Sequence, residues 1–124
     1  MPEASFHFPR GFLWGSATAS HQVEGSNTNN NWTRWESEPG RIIQDQKAGL
    51  ACDWRGARWR EDLERARDAG QNAHRLSIEW SRVQPAPDRW DEDALAFYVE
   101  IARWLVANGM TPMVTLHHFS DPLW

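Results

Sequence analysis

Cysteine occurs once in the 124 residues, at position 52. No disulfide can close within the chain, and a reducing, cytoplasmic setting is the expectation. No apolar run approaches the roughly 20 residues that a membrane-spanning helix needs. The opening residues, Met-Pro-Glu-Ala-Ser-Phe, carry neither the basic start nor the apolar stretch of a secretion signal. The glycosylation sequon Asn31-Trp32-Thr33 is therefore read as chance. Positive charge is not in excess: the formal net charge is −4. A nucleic-acid or anionic-membrane partner would need a basic face, so neither is expected. Several reactive signatures are also missing. There is no His-Glu-x-x-His and no Cys-x-x-Cys, and the adjacent His117 and His118 would point to opposite faces of a strand. No metal and no cofactor is expected. A Gly-x-Ser-x-Gly elbow for a serine nucleophile is absent as well.

Tryptophan, by contrast, is abundant: nine residues against a single tyrosine. Large core side chains would explain this, and so would sugar binding, since the C–H face of a pyranose packs well on an indole. Composition leaves both open.

Residues 12–20, small and apolar, predict a first strand. A polar stretch follows from Gly25 to about Asp53, and loops of that length are usually functional or disordered. Asp53 is a plausible N-cap for a helix over 54–69, where Trp59, Leu63 and Ala66 recur at helical spacing and Gly70 suits a left-handed cap. A second strand is predicted over 72–80, with Leu76, Ile78 and Trp80 on one face and Arg75, Ser77 and Glu79 on the other. Asp91 can cap a helix over 92–108, whose apolar stripe is Leu95, Tyr98, Ala102, Leu105 and Val106. A third strand is predicted over 112–117.

Strand, helix, strand, helix, strand implies an α/β fold with a parallel sheet. A doubly wound sheet and a (β/α)₈ barrel both accommodate this order, although the absence of Gly-x-Gly-x-x-Gly counts against dinucleotide binding. In a barrel, function is built at the C-terminal ends of the strands. Those ends carry Gln22 and Glu24, then Glu79-Trp80-Ser81-Arg82, then His117-His118; ordinary loop polarity is the competing explanation. Arg75 lies within a strand between apolar neighbours, so its side chain is expected to enter the interior and to need a carboxylate partner.

Phe12-Leu-Trp-Gly-Ser-Ala-Thr-Ala-Ser-His-Gln-Val-Glu-Gly25 resembles the N-terminal signature of glycoside hydrolase family one, the family of β-glucosidases. Arg75-Leu-Ser-Ile-Glu-Trp-Ser-Arg82 and Thr115-Leu-His-His-Phe-Ser-Asp-Pro-Leu-Trp124 resemble its second- and third-strand motifs. Asn31-Trp-Thr-Arg-Trp-Glu36 and Ala51-Cys-Asp-Trp54 are also similar to the family. The resemblance implies the first three strands and two helices of a (β/α)₈ TIM barrel, incomplete, from an enzyme hydrolysing β-linked glucosides or related sugars with retention. It implies that Gln22 and His118 hold hydroxyls of the bound sugar. Phe119 stands where many relatives have tryptophan, which keeps a stacking surface and loses an indole donor. Arg75 matches the arginine that keeps the nucleophile ionised. Glu24 and Glu79 belong to the motifs, and a non-catalytic role, among uncharged neighbours or in an ion pair, is expected of both.

Retaining hydrolysis needs two carboxyl groups about 5–5.5 Å apart. The family carries them in Asn-Glu-Pro and Glu-Asn-Gly motifs, and neither tripeptide occurs here. Nothing places Glu79 and Asp121 at the required separation as substitutes. A barrel takes roughly 250 residues. The isolated chain is therefore expected to lack any catalytic residue, to be inactive, and to associate with the remainder of a barrel or with itself. A non-catalytic sugar-binding or assembly module is the alternative.

Overall fold

The computed structural model describes residues 6–124. Three parallel strands pair in the order β1-β2-β3: β1 at Gly15–Ala17, β2 at Ala73–Ser77 and β3 at Thr111–Thr115. The helices are α1 (Ser20–Val23), α2 (Asn31–Glu36), α3 (Trp59–Asp68), α4 (Trp80–Val83) and α5 (Glu92–Ala107). Helix α3 precedes β2 and α5 joins β2 to β3.

The first strand is shorter than the 12–20 predicted. At its start Gly15 faces Ala73, and a Cβ there would run into the Ala73 carbonyl, so the strands approach as only glycine permits. At its end the Ser20 N–H bonds the Ser77 Oγ at 2.7 Å and the Ser20 carbonyl accepts the Glu24 N–H at 2.9 Å. The ladder stops and α1 begins, which puts Gln22 on a helical turn.

The helix predicted from Trp54 is broken in two. Asp53 (φ 42°) caps only the 3₁₀ turn Trp54–Gly56, Ala57 (φ 71°) closes that turn, and α3 starts at Trp59. Gly70 (φ 87°) ends α3 in the left-handed conformation, and the Gln71 N–H returns to the Ala66 carbonyl at 3.2 Å. The second strand ends at Ser77, not Trp80, because residues 80–83 coil into α4.

Helix α5 is capped as its sequence suggests, the Asp91 carboxyl accepting the Ala94 N–H at 2.8 Å. Its buried side is Ala94, Tyr98, Ile101 and Leu105. Two members of the predicted stripe, Leu95 and Val106, are exposed. They belong to a second apolar strip, with Val99 and Ala102, that runs beside the buried one. The two strips merge in a one-dimensional reading.

Side chains alternate along β2. His74 and Leu76 face the helices, Leu76 in the core with Trp54, Trp59, Leu63, Tyr98, Ile101, Leu105 and Met110. Ala73, Arg75 and Ser77 face the other way, in register with Thr111, Met113 and Thr115 of β3. Arg75 is exposed on this open face, and no carboxylate among the described residues pairs with it. The partner expected for a buried guanidinium is therefore not found in these residues. No helix among them is long and apolar enough to cross a membrane.

Candidate active site

Because the strands are parallel, their C-terminal ends share one edge of the sheet, and the chain turns there into α1, α4 and residues 116–124. The centre of this edge is the Glu79 side chain, fully buried at 0% exposure. Its Oε1 accepts the Ser81 hydroxyl at 2.7 Å and the Asn30 amide at 3.3 Å. Its Oε2 accepts the hydroxyls of Ser20 and Ser120, both at 2.8 Å. The Glu79 N–H donates to the Tyr98 hydroxyl at 3.1 Å. No cation among the described residues pairs with this carboxyl group, so of the two roles expected of it, uncharged neighbours or an ion pair, the neighbours found are uncharged. The nearby Arg82 is engaged by Glu24, and neutral donors serve Glu79 instead. Sequence reasoning missed this hub. Its only trace is the short polar residues Ser20, Asn30, Ser81 and Ser120, each lying just past an apolar run or in the polar loop.

Asn30, also fully buried, extends the network. Its carbonyl caps α2 through the Thr33 N–H at 2.7 Å, and its amide reaches His21 Nδ1 at 3.2 Å. His21 Nε2 lies 3.0 Å from Glu36, which also accepts the Ala48 N–H at 3.2 Å. Given the two neighbours, Nε2 donates and Nδ1 accepts.

Glu24 is the second buried acid. Its Oε1 accepts the Tyr98 hydroxyl at 2.7 Å. Its Oε2 lies 2.6 Å from Arg82 Nε, at an angle that leaves both atoms without a hydrogen bond. Arg82 also donates to the Gly25 carbonyl. Burial pushes the Glu24 carboxyl up to about 7, against the pull of Tyr98 and Arg82. Burial likewise raises the Tyr98 hydroxyl.

The residues predicted to meet sugar occupy this edge unevenly. The Phe119 ring lies 5.4 Å from Trp32, edge-on, and 4.8 Å from the His118 ring. The Phe119 carbonyl accepts the Trp32 indole N–H at 2.9 Å. Phe119 adopts a left-handed φ of 54°, held by the Ser120 N–H on the His118 carbonyl at 2.8 Å. His118 is half-buried, and its Nδ1 has no hydrogen-bond partner. His117 turns away and meets Asp121 at 2.9 Å. Gln22 is exposed on α1, next to His21, whose ring is 6.3 Å from Trp32. No hydrogen bond among the described residues joins Gln22 to His118. Trp32, Trp35, Phe119 and Asn31 line an open cleft. The tryptophans thus divide: Trp54 and Trp59 are core, whereas Trp32 and Trp35 wall this cleft. Arg75 lies further down the open face, two residues before the end of β2. The described residues contain no group of three His, Cys, Asp or Glu able to hold a metal.

Residues 4–124 match the sequence profile of glycosyl hydrolase family 1. The chain belongs to that family. It is 39% identical to β-glucosidase A of Thermotoga maritima over 121 residues, 93% of this chain and 27% of the relative. Among solved structures, the β-glycosidase from Pyrococcus horikoshii is 43% identical with a TM-score of 0.79, over 94% of this chain and 27% of that one. The family 1 enzyme of Thermotoga maritima in complex with glucoimidazole gives a TM-score of 0.84 at 39% identity, over 93% and 27% of the two chains. The family 1 strands and helices described above are thus the N-terminal part of a (β/α)₈ barrel. The chain spans about 27% of the length of the relatives it matches.

Proposed function

We propose that these residues form the sugar-holding rim of a retaining β-glycosidase that acts on β-linked glucosides or related sugars. The observation that carries the proposal is the aromatic edge itself. Phe119 stands edge-on to Trp32, with the His118 ring against Phe119, at the edge where all three strands end. The half-buried His118 imidazole, packed beside the Phe119 ring, is the group that meets a sugar hydroxyl in this reading. The exposed Gln22 amide supplies both a donor and an acceptor to the same sugar. Phe119 offers its face to the pyranose and adds no hydrogen bond. Arg75, on the open face, holds the nucleophile in its ionised form.

The two carboxyl groups of the double displacement are not among the 124 residues, since neither Asn-Glu-Pro nor Glu-Asn-Gly occurs. The polypeptide by itself is therefore silent, and it acts with the remainder of a barrel. A second reading, a non-catalytic sugar-binding module, draws on the open cleft of Trp32, Trp35 and Phe119.

An aryl β-glucoside assay separates the readings. The purified chain alone is expected to give no turnover. Turnover is expected once the remaining barrel of the Thermotoga maritima enzyme is supplied. Hydrolysis by the chain alone, persisting in preparations free of contaminating glycosidase, overturns the assignment of the catalytic groups. Saturable glucose binding by the chain in calorimetry favours the module.

A further inference from the structure

We infer that Glu79 is the positioning residue of the sugar rim, setting the mutual placement of Gln22, His118, Phe119 and Trp32 without touching the sugar. The inference rests on the reading of those residues as the rim. Each of them lies within two positions of a side chain that donates to the Glu79 carboxyl. Ser20 starts α1, two residues before Gln22; Asn30 caps α2, two residues before Trp32; Ser120 follows His118 and Phe119. Three stretches of the chain, at residues 20–30, 79–81 and 120, thus meet at one carboxyl group. The Tyr98 hydroxyl anchors the Glu79 backbone to α5, so the hub is referenced to the core.

Energetics separate this role from ordinary packing. A carboxyl group buried without a cation loses its hydration and regains it only if its acceptor positions are filled. Here two donors reach each oxygen: Ser81 comes from the helical turn that Glu79 begins, and Ser20, Asn30 and Ser120 come from parts of the chain distant from it in sequence. An apolar residue would fill the space at lower electrostatic cost. It would not fix the donor segments in direction, because dispersion contacts carry no angular preference comparable to a hydrogen bond. Phe119 shows the result: its left-handed backbone is held between the His118 carbonyl and a Ser120 tied to Glu79.

The test uses the chain completed with the remaining Thermotoga maritima barrel, an aryl β-glucoside and four variants. Glu79→Gln keeps the shape and removes acceptor capacity on one side. It is expected to raise KM about tenfold while kcat changes much less, since a displacement of rim groups on the scale of an ångström weakens sugar binding. Leu105→Ala, a core change, is expected to lower the melting temperature at least as much and leave KM in place, which no purely structural role of Glu79 would allow for Glu79→Gln. Gln22→Ala and His118→Ala test the underlying reading, and both should raise KM. If they do and Glu79→Gln does not, the positioning role is wrong. If they do not, the rim assignment fails and the role falls with it. In the 124-residue chain alone, Glu79→Gln should speed amide hydrogen exchange at Ser20 and Thr33 while protection in α5 persists. Unchanged exchange at those two amides overturns the inference.

Discussion

At the scale of single residues, two buried titratable groups pull stability in opposite directions. Glu24 has an ordinary value of 4.5, raised to about 7 in the folded chain by burial. The fold therefore keeps the Glu24 proton to higher pH than the unfolded chain does. The associated stability is fully present below 4.5 and is lost as pH rises through 7. His74 is buried between Ser16, Thr18 and Trp54, and burial lowers it from 6.5. The unfolded chain takes up that proton first, so stability falls as pH drops below 6.5. Comparing melting temperatures of Glu24→Gln and the unaltered chain across this range isolates the first effect. The variant should gain relative stability on going from acid to neutral pH, by on the order of 3 kcal/mol. A constant difference across the range would contradict the linkage. The sequence motifs pointed to Gln22, Arg75, His118 and Phe119 as residues of one site. They did not reveal that Glu79 is met by four side chains, because the approach of Ser20, Asn30, Ser81 and Ser120 is set by tertiary folding and not by local pattern.

At the scale of elements, what could be read beforehand was what local chemistry decides. Asp91 caps α5 and Gly70 closes α3 because each acts within four residues of itself. The sequence pattern carries β1 to residue 20 and β2 to Trp80, whereas the bonds of Ser20 to Ser77 and Glu79 hold the chain where it turns into α1 and α4. The α3 start was misplaced by the left-handed Asp53 and Ala57, neither a glycine. The stripe of α5 was mis-centred because two apolar strips lie side by side on it. Gly15→Ala tests the tightest of these contacts. The new methyl group would strike the Ala73 carbonyl, which must move and stretch the β1–β2 pairing. A loss of about 1–3 kcal/mol, read from urea unfolding, is the expected outcome. A neutral result would show that β1 shifts freely.

At the scale of the molecule, the outer edges of β1 and β3 have no strand partner among the described residues. The apolar strip of α5 and the outward side chains Trp90 and Leu116, 65% and 76% exposed, add an uncovered face. Edges and faces of this kind drive association. Size-exclusion chromatography should show concentration-dependent species larger than a monomer, reduced by Leu116→Lys or Trp90→Lys. A monomer that melts cooperatively at all concentrations would oppose this. One more property of the molecule comes from Glu36. By accepting both the Ala48 amide and the His21 imidazole, it brings the chain back, after the residues from Ser37 to Lys47, to the point where it left α2. Gly49 then packs directly on Gly25. Those eleven positions hang from a closed neck like a tassel from a knot, so evolution or an engineer can lengthen, trim or replace them while the fabric beneath stays woven.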